Sequence, residues 1–435
     1  MIRVLRRLST LALVFYCGHS LALDIQQWTT QNGVEVLFVE AHELPMVDVR
    51  LNFRAGSALD GQQRGISRLV NALLVEGTGD YSAQQIAREF ESTGAQLGHN
   101  SLRDMAWVSL RSLSDPALRA RTVDLFARVS ALPSFPTDAI ERDRRALLLS
   151  LAERKKAIGS VVEDTFMQNV YRGHAYAIGP GGSEAGLEGI SRDDLVAFHR
   201  RYYVGRNANL AIVGDLTASQ ARQYAEQLTR YLEPGEPAAA VADITRSSAA
   251  GQTIRVDFDA TQTHIKLGMP VLRRQDPDFF ALYIGNHVLG GSGFSSRLVQ
   301  EIRENRGLVY SVYSYFLPMA GKGPFQMSLQ TANDQAQQAL GLLDELLADF
   351  IANGPTAQEL EHAQSNITGS FPLKIDSNNK VVEYLALIGF YDLPLDYLDS
   401  FNQRVLEVTA QQIRDAFKRR VDPDSMTRVI VGGAS

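Results

Sequence analysis

Residues 290–316, GGSGFSSRLVQEIRENRGLVYSVYSYF, change their hydrophobic period halfway along. Leu298, Val299 and Ile302 recur at helical spacing, whereas LVYSVYSYF is a β-branched and aromatic run that reads as a strand. Ser295 and Ser296 stand where a helix cap belongs, with the glycines at 290, 291 and 293 as a loop before them. Gly307 predicts a left-handed cap at the helix end. The same two periods alternate through the rest of the chain. VEVLFVE and MVDVRLNFRAG predict neighbouring strands, and GAQLGHNSLRDMAWVSLRS one long strand. Between them Ile66, Leu69, Val70, Leu73 and Leu74 predict a helix within residues 65–78. Residues 115–156 read as charged helix, residues 157–189 as mixed helix and a Gly-rich loop, and SRDDLVAFHRRYY as a helix leading into the strand NANLAIVGD. Ser82–Gln85, Thr217–Gln220, Thr356–Glu359 and Thr409–Gln412 have the spacing of capping boxes and mark four helix starts.

Laid end to end, these elements repeat. RRYYVGRNANLAIVGD (200–215) and KRRVDPDSMTRVIVGG (418–433) share one layout: a basic helix end, a polar turn, an apolar strand and a glycine. The stretch EPGEPAAAVADITRSSAAG (233–251) is aperiodic and rich in Pro, Ala and Ser, as a linker would be. The expected fold class is therefore α+β, in two homologous α/β-roll halves of mostly antiparallel sheet with packed helices, closing as a clamshell. The expected boundaries are residues 23–232 and 252–435, with 233–251 between them.

Composition alters this picture only at the N-terminus. With 435 residues, 45% hydrophobic and 21% charged, the chain is long enough for two ordinary soluble cores. A formal charge of −6 without a sustained basic stripe argues against nucleic acid as a partner. Residues 1–22 have a basic start, a short apolar stretch and Ser20-Leu21-Ala22 as a small-x-small site. That is the pattern of a cleaved export signal, too short for stable membrane insertion. Cleavage would remove three arginines and no acids, taking the charge to −9, and would remove Cys17, the only cysteine. A periplasmic location in a Gram-negative bacterium is expected.

The candidate chemistry is notable for what it lacks. No two of the eight histidines lie within one helical turn, so neither HxxEH nor HExxH is present. Glu359 and His362 are the nearest acid–histidine pair, and by themselves read as a solvated helix face. GGSGFSS lacks the Lys of a phosphate loop, and no Gly-x-Ser-x-Gly elbow occurs. What remains is Arg303 in a last helical turn and Tyr310 early in the next strand. Side by side, a guanidinium and a phenol could hold a peptide carbonyl and its oxyanion. The spacing equally fits an Arg–Glu surface helix beside a Tyr-rich sheet edge.

RAGSALD followed by GISRLVNALLVEGT, then FESTGAQLG, SRDDLVAFHRRYY and GGSGFSSRLVQEIRENRGLVYSVYS, together resemble the pitrilysin/insulinase family of zinc metallopeptidases, especially its bacterial members like the mitochondrial processing peptidase. The likeness runs through nearly all of the chain after residue 22. In that family the first half carries HxxEH inside a segment like GLAHLLEHMLFKGT. The resemblance puts Arg68 at the first histidine, Asn71 at the catalytic glutamate and Ala72 at the second histidine. The third ligand falls on Leu149 or Ser150. A permanent cation and a neutral amide at these positions imply no zinc and no general base in this chain, and nothing in the spacing favours Glu76, Glu153 or His99 as replacements. Arg303 and Tyr310 match the pair with which the family's second half contacts substrate. Gly98, His99 and Asn100 match the strand whose edge receives the peptide. The resemblance thus implies a zinc-free subunit that pairs with an HxxEH-bearing homologue, zinc residing in the partner, to cleave peptides or unfolded proteins. A non-enzymatic peptide-binding or scaffold protein on the same fold is the alternative.

Overall fold

The computed structural model describes residues 23–242, 244 and 249–433; the export-signal reading of residues 1–22 lies outside them. One sheet runs, in spatial order, Gln26–Thr29, Glu35–Glu40, Ala208–Gly214, Met46–Phe53, Ala106–Leu113 and Gln96–Ser101. The other runs Thr253–Val256, Thr427–Val431, Gln262–Leu272, Gly323–Ala332 and Ser311–Phe316. Without Gln26–Thr29 the two orders are the same. Each sheet has one parallel pair, at the same place, and antiparallel pairs elsewhere. Two homologous halves are therefore present in the topology itself.

Two strand expectations are corrected. Glu35–Glu40 and Met46–Phe53 are not neighbours, because Ala208–Gly214 lies between them. Both faces of the inserted strand and of Glu35–Glu40 are buried, and a continuous apolar run reads the same whichever partner covers it. The predicted long strand is a hairpin, Gln96–Ser101 with Ala106–Leu113, closed where Leu102 N donates to the Met105 carbonyl at 2.7 Å.

The halves interlock. Val36, Phe38, Leu210 and Ile212 face the core beneath the first half's own helices. The alternate residues Leu37, Val39, Ala211 and Val213 share a core with Leu385, Ala386 and Ile388 of helix Asn378–Phe390, which belongs to the second half. Asn52 and Asn209 fix that helix by donating to the Ala386 carbonyl at 3.1 and 3.2 Å. The reciprocal element is helix Ile158–Val170, which buries Val162, Phe166, Met167 and Val170 against Val429 and Val431 of the second sheet. At roughly 2 kcal/mol per buried side chain, each exchanged helix is a substantial part of the other half's stability.

At the seam, the buried Asp104 carboxylate accepts the Tyr176 hydroxyl, the Ala320 amide (2.8 Å) and the Tyr391 hydroxyl (3.1 Å). Burial, followed by the nearby Asp104 charge, pushes both phenols up, so they remain donors.

Candidate functional site

Helix Ile66–Leu73 buries Ile66, Leu69, Val70 and Leu73, and its Arg68 and Asn71 turn toward the hairpin. Arg68 Nη1 donates to the Asn100 side chain. Asn71 is 1% exposed; its amide donates to the Trp107 carbonyl at 3.2 Å, and its oxygen lies 3.3 Å from His99 Nδ1. Burial, then the Arg68 charge, lowers the His99 pKa, which keeps the ring neutral near pH 7. Ala72 is half-buried in the same helix. Gly98 is needed by the hairpin itself, since a Cβ there would stand 2.7 Å from Ser109 Oγ. Ser150 lines a cavity together with Arg68, whereas Leu149 is 63% exposed.

Zinc does not fit this donor set. Arg68 fills the space with a cation, and Asn71 spends both ends of its amide on the hairpin. The acids that could have served are engaged elsewhere: Glu76 with Arg142 at 2.8 Å and Glu153 with Lys156 at 2.8 Å. Glu359 is clamped by Arg297 and caps its own helix. Among the described residues no three His, Cys, Asp or Glu side chains are grouped to hold a metal.

In the second half the strand begins at Ser311 rather than at Leu308. Gly290 and Gly291 are not loop; they form the widened last turn of the helix that starts at Phe279. The reason is a close approach: a Cβ on Gly290 would lie 2.4 Å from Ser314 Oγ and 2.6 Å from its backbone N. Ser296 begins the next helix, but its hydroxyl donates back to the Gly293 carbonyl at 2.7 Å instead of accepting an amide. Val299–Glu304 is wound with i to i+5 bonds. Gly307, at φ +64°, ends this helix, with its amide on the Arg303 carbonyl and the Leu308 amide on Ile302.

Tyr310 is pinned by its backbone, the amide donating to the Gln330 carbonyl at 2.9 Å, while its side chain is 73% exposed. The Arg303 guanidinium lies 5.2 Å from the ring of Phe294 and 3.7 Å from Glu304. No hydrogen bond joins Arg303 to Tyr310 among the described residues. Arg303 is half-buried, its side chain 38% exposed, and the aromatic face of Phe294 is the resting place of the cation.

A trough runs from the Arg68 region toward the strand Ser311–Phe316. The cavity holding Arg68 and Ser150 measures about 730 Å³ and extends to Arg154 and Glu163. A second cavity of about 280 Å³ shares Arg154 and Glu163 and continues to Tyr313, Tyr315 and Gln330. The rings of Tyr313 and Tyr315 are stacked at 6.0 Å, and Lys266 is bonded to Glu163. Apart from Arg68 and Ser150, none of these lining residues stood out in the sequence. Glu163 arrives on the exchanged helix Ile158–Val170, and no local pattern announces which sheet a helix will cover. Strands Gln96–Ser101 and Ser311–Phe316 are both sheet edges, each with one side unpaired. An edge of this kind can take an extended peptide as a further strand.

A family model described as Insulinase (Peptidase family M16) matches residues 35–179, and one described as Peptidase M16 inactive domain matches residues 189–367. A crystallised peptidase M16 inactive domain from Pseudomonas fluorescens is 38% identical and superposes with a TM-score of 0.92 over 95% of this chain and 98% of that one. A non-peptidase homolog of Helicobacter pylori, YmxG, is 24% identical over 430 residues, 98% of each chain. An uncharacterized zinc protease of Bacillus subtilis, also called YmxG, is 25% identical over 356 residues, 82% of this chain and 85% of that one. No helix among the described residues is long and apolar enough to cross a membrane.

Proposed function

The chain belongs to peptidase family M16, the insulinase family, and from that premise we propose that it is the zinc-free subunit of a heterodimeric metalloendopeptidase. It is a zinc-protease homologue without the family's metal-binding set. In this reading an HxxEH-bearing partner supplies zinc and the general base, and this chain supplies Arg303 and Tyr310. Tyr310 donates to the developing oxyanion, and Arg303 swings from Phe294 to hold a neighbouring substrate carbonyl. The substrates are peptides or unfolded proteins, and the export-signal pattern of residues 1–22 supports a periplasmic location for this chain.

The observation that carries the reading is the contrast in commitment. Arg68, Asn71 and His99 are bonded inward, whereas Tyr310 is pinned by its backbone with its phenol 73% exposed. An exposed phenol whose backbone is held in place suits contact with a second chain.

Co-expression with an HxxEH-bearing exported homologue, followed by gel filtration and a peptide-cleavage assay, tests this. Activity should appear only in the joint peak and should fall in Tyr310→Phe and in Arg303→Ala. Full activity in both variants would remove the active-site role. The free edge Gln96–Ser101 favours a second reading, a peptide-binding protein that works alone. A stable peptide complex without any joint peak would select it.

A further inference from the structure

The cavity that stands in place of a metal site has the charge balance of an anion site. Four cations line it, Arg68, Arg103, Arg154 and Lys155, against the carboxylates of Glu163, Asp164 and Glu184. The carboxylates are all taken. Arg154 holds Asp164 with Nη2 at 2.6 Å, Lys155 holds Glu184 at 2.6 Å, and Glu163 is bonded to Lys266. Arg68 and Arg103 are left over. Arg68 has only the neutral Asn100 side chain, and Arg103 only a long 3.5 Å contact to the Tyr176 carbonyl. Neither makes an ion pair among the described residues, and both are half-buried. A half-buried guanidinium without an acid has lost part of its hydration with no counter-charge in return, so an incoming anion gains more from it than from an arginine in water.

The position of the two arginines selects the kind of anion. Arg68 is bonded to Asn100, within the free edge strand Gln96–Ser101, and Arg103 follows two residues after that strand ends. The Arg103 guanidinium lies close to the Gly179 backbone, where a Cβ would come within 3.4 Å of Nη2. We infer that this cavity binds the carboxylate of an extended peptide laid along Gln96–Ser101. The carboxylate is either the peptide's C-terminus or an acidic side chain. Planar guanidinium forks match a carboxylate better than a single ammonium does. The inference rests on the edge strand accepting peptide and is independent of whether Arg303 and Tyr310 act in cleavage.

The test is binding to the full exported chain, without a partner, read by fluorescence anisotropy. The probes are a fluorescein-labelled Ala/Ser/Leu peptide with a free C-terminus, the same peptide amidated, and the amidated peptide with one internal Glu. The acid forms should bind about tenfold or more tightly than the plain amide, as one charge-assisted bond implies. The advantage should shrink at high salt. Arg68→Gln and Arg103→Gln should each abolish the acid preference while leaving amide binding in place. Arg68→Lys should restore part of it, and the exposed Lys156→Gln should change nothing. Which acid form binds better identifies the source of the carboxylate. Equal affinity for acid and amide peptides, or an acid preference that survives in both Gln variants, would overturn the carboxylate site. So would the absence of binding by any probe. Cleavage by the joint complex remains a separate readout, so either idea can fail alone.

Discussion

Helix Ile66–Leu73 with its hairpin and helix Phe279–Asn286 with its hairpin hold the same places in the two sheets, yet they use their polar groups in opposite ways. Each helix is fastened by an asparagine. Asn71 donates to Trp107 and faces His99; Asn286 donates to the Ser314 carbonyl at 3.1 Å and accepts the Ser314 hydroxyl at 2.7 Å. Around Asn71 the polar side chains are bonded to one another. Beyond Asn286 the side chains of Phe294 and Tyr310 are turned outward, and half-buried Arg303 rests on Phe294. One topology therefore supports an inward-bonded polar cluster in one half and exposed rings in the other. Duplication preserves backbone geometry, while the direction in which polar groups are satisfied is free to diverge.

The largest effect expected from breaking this contrast is catalytic. Tyr310→Phe should lower turnover of the joint complex by about 100- to 1000-fold, the usual loss for one oxyanion donor. It should not move the melting temperature, because the phenol hydroxyl has no partner among the described residues. A matching loss of stability would mean that Tyr310 is structural after all.

Acid should separate the halves next. His199 is buried, and burial depresses its pKa to about 4 despite its bond to the Ser130 carbonyl. The repeat aligns His199 with the buried Phe417. Because the unfolded chain takes up this proton first, stability is retained above about pH 6.5 and lost as pH falls toward 4. The loss from this one residue should be about 3 kcal/mol. Chemical denaturation across that window should show a flatter slope in His199→Phe. An unchanged slope would assign the acid sensitivity elsewhere.

The fastening asparagines come third. Asn286→Ala leaves both polar groups of Ser314 without their partner, and Asn71→Ala leaves the Trp107 carbonyl so; each should cost about 1–3 kcal/mol, Asn286 the more. Equal or reversed losses by urea titration would show that the inward network around Arg68 is worth more than its bonds suggest. The smallest effect is the one in which the halves should agree. Thr217 and Thr409 both complete capping boxes with Gln three residues on. Thr217→Ala and Thr409→Ala should each cost about 1 kcal/mol.

Much of the molecule is legible in its amino-acid sequence. The four capping boxes lie where their spacing puts them, because a cap is decided within four residues. The repeat is legible for a similar reason: helix ends, turns and strands carry their own residue preferences. The missing metal ligands show as soon as GISRLVNALLVEGT is laid against the family's HxxEH segment. What local pattern cannot decide is partnership. Nothing in VEVLFVE says that Ala208–Gly214 will pair beside it, and nothing in VVEDTFMQNV says that it will cover the opposite sheet. Apolar faces are alike, and only the assembled shape chooses between them. The trough follows from that choice, since Glu163 reaches it on an exchanged helix. So does the pair Arg68 and Arg103, which hydrogen-bond only to neutral groups: a charge is legible in one residue, whereas the want of an acidic partner exists only once every neighbour is in place.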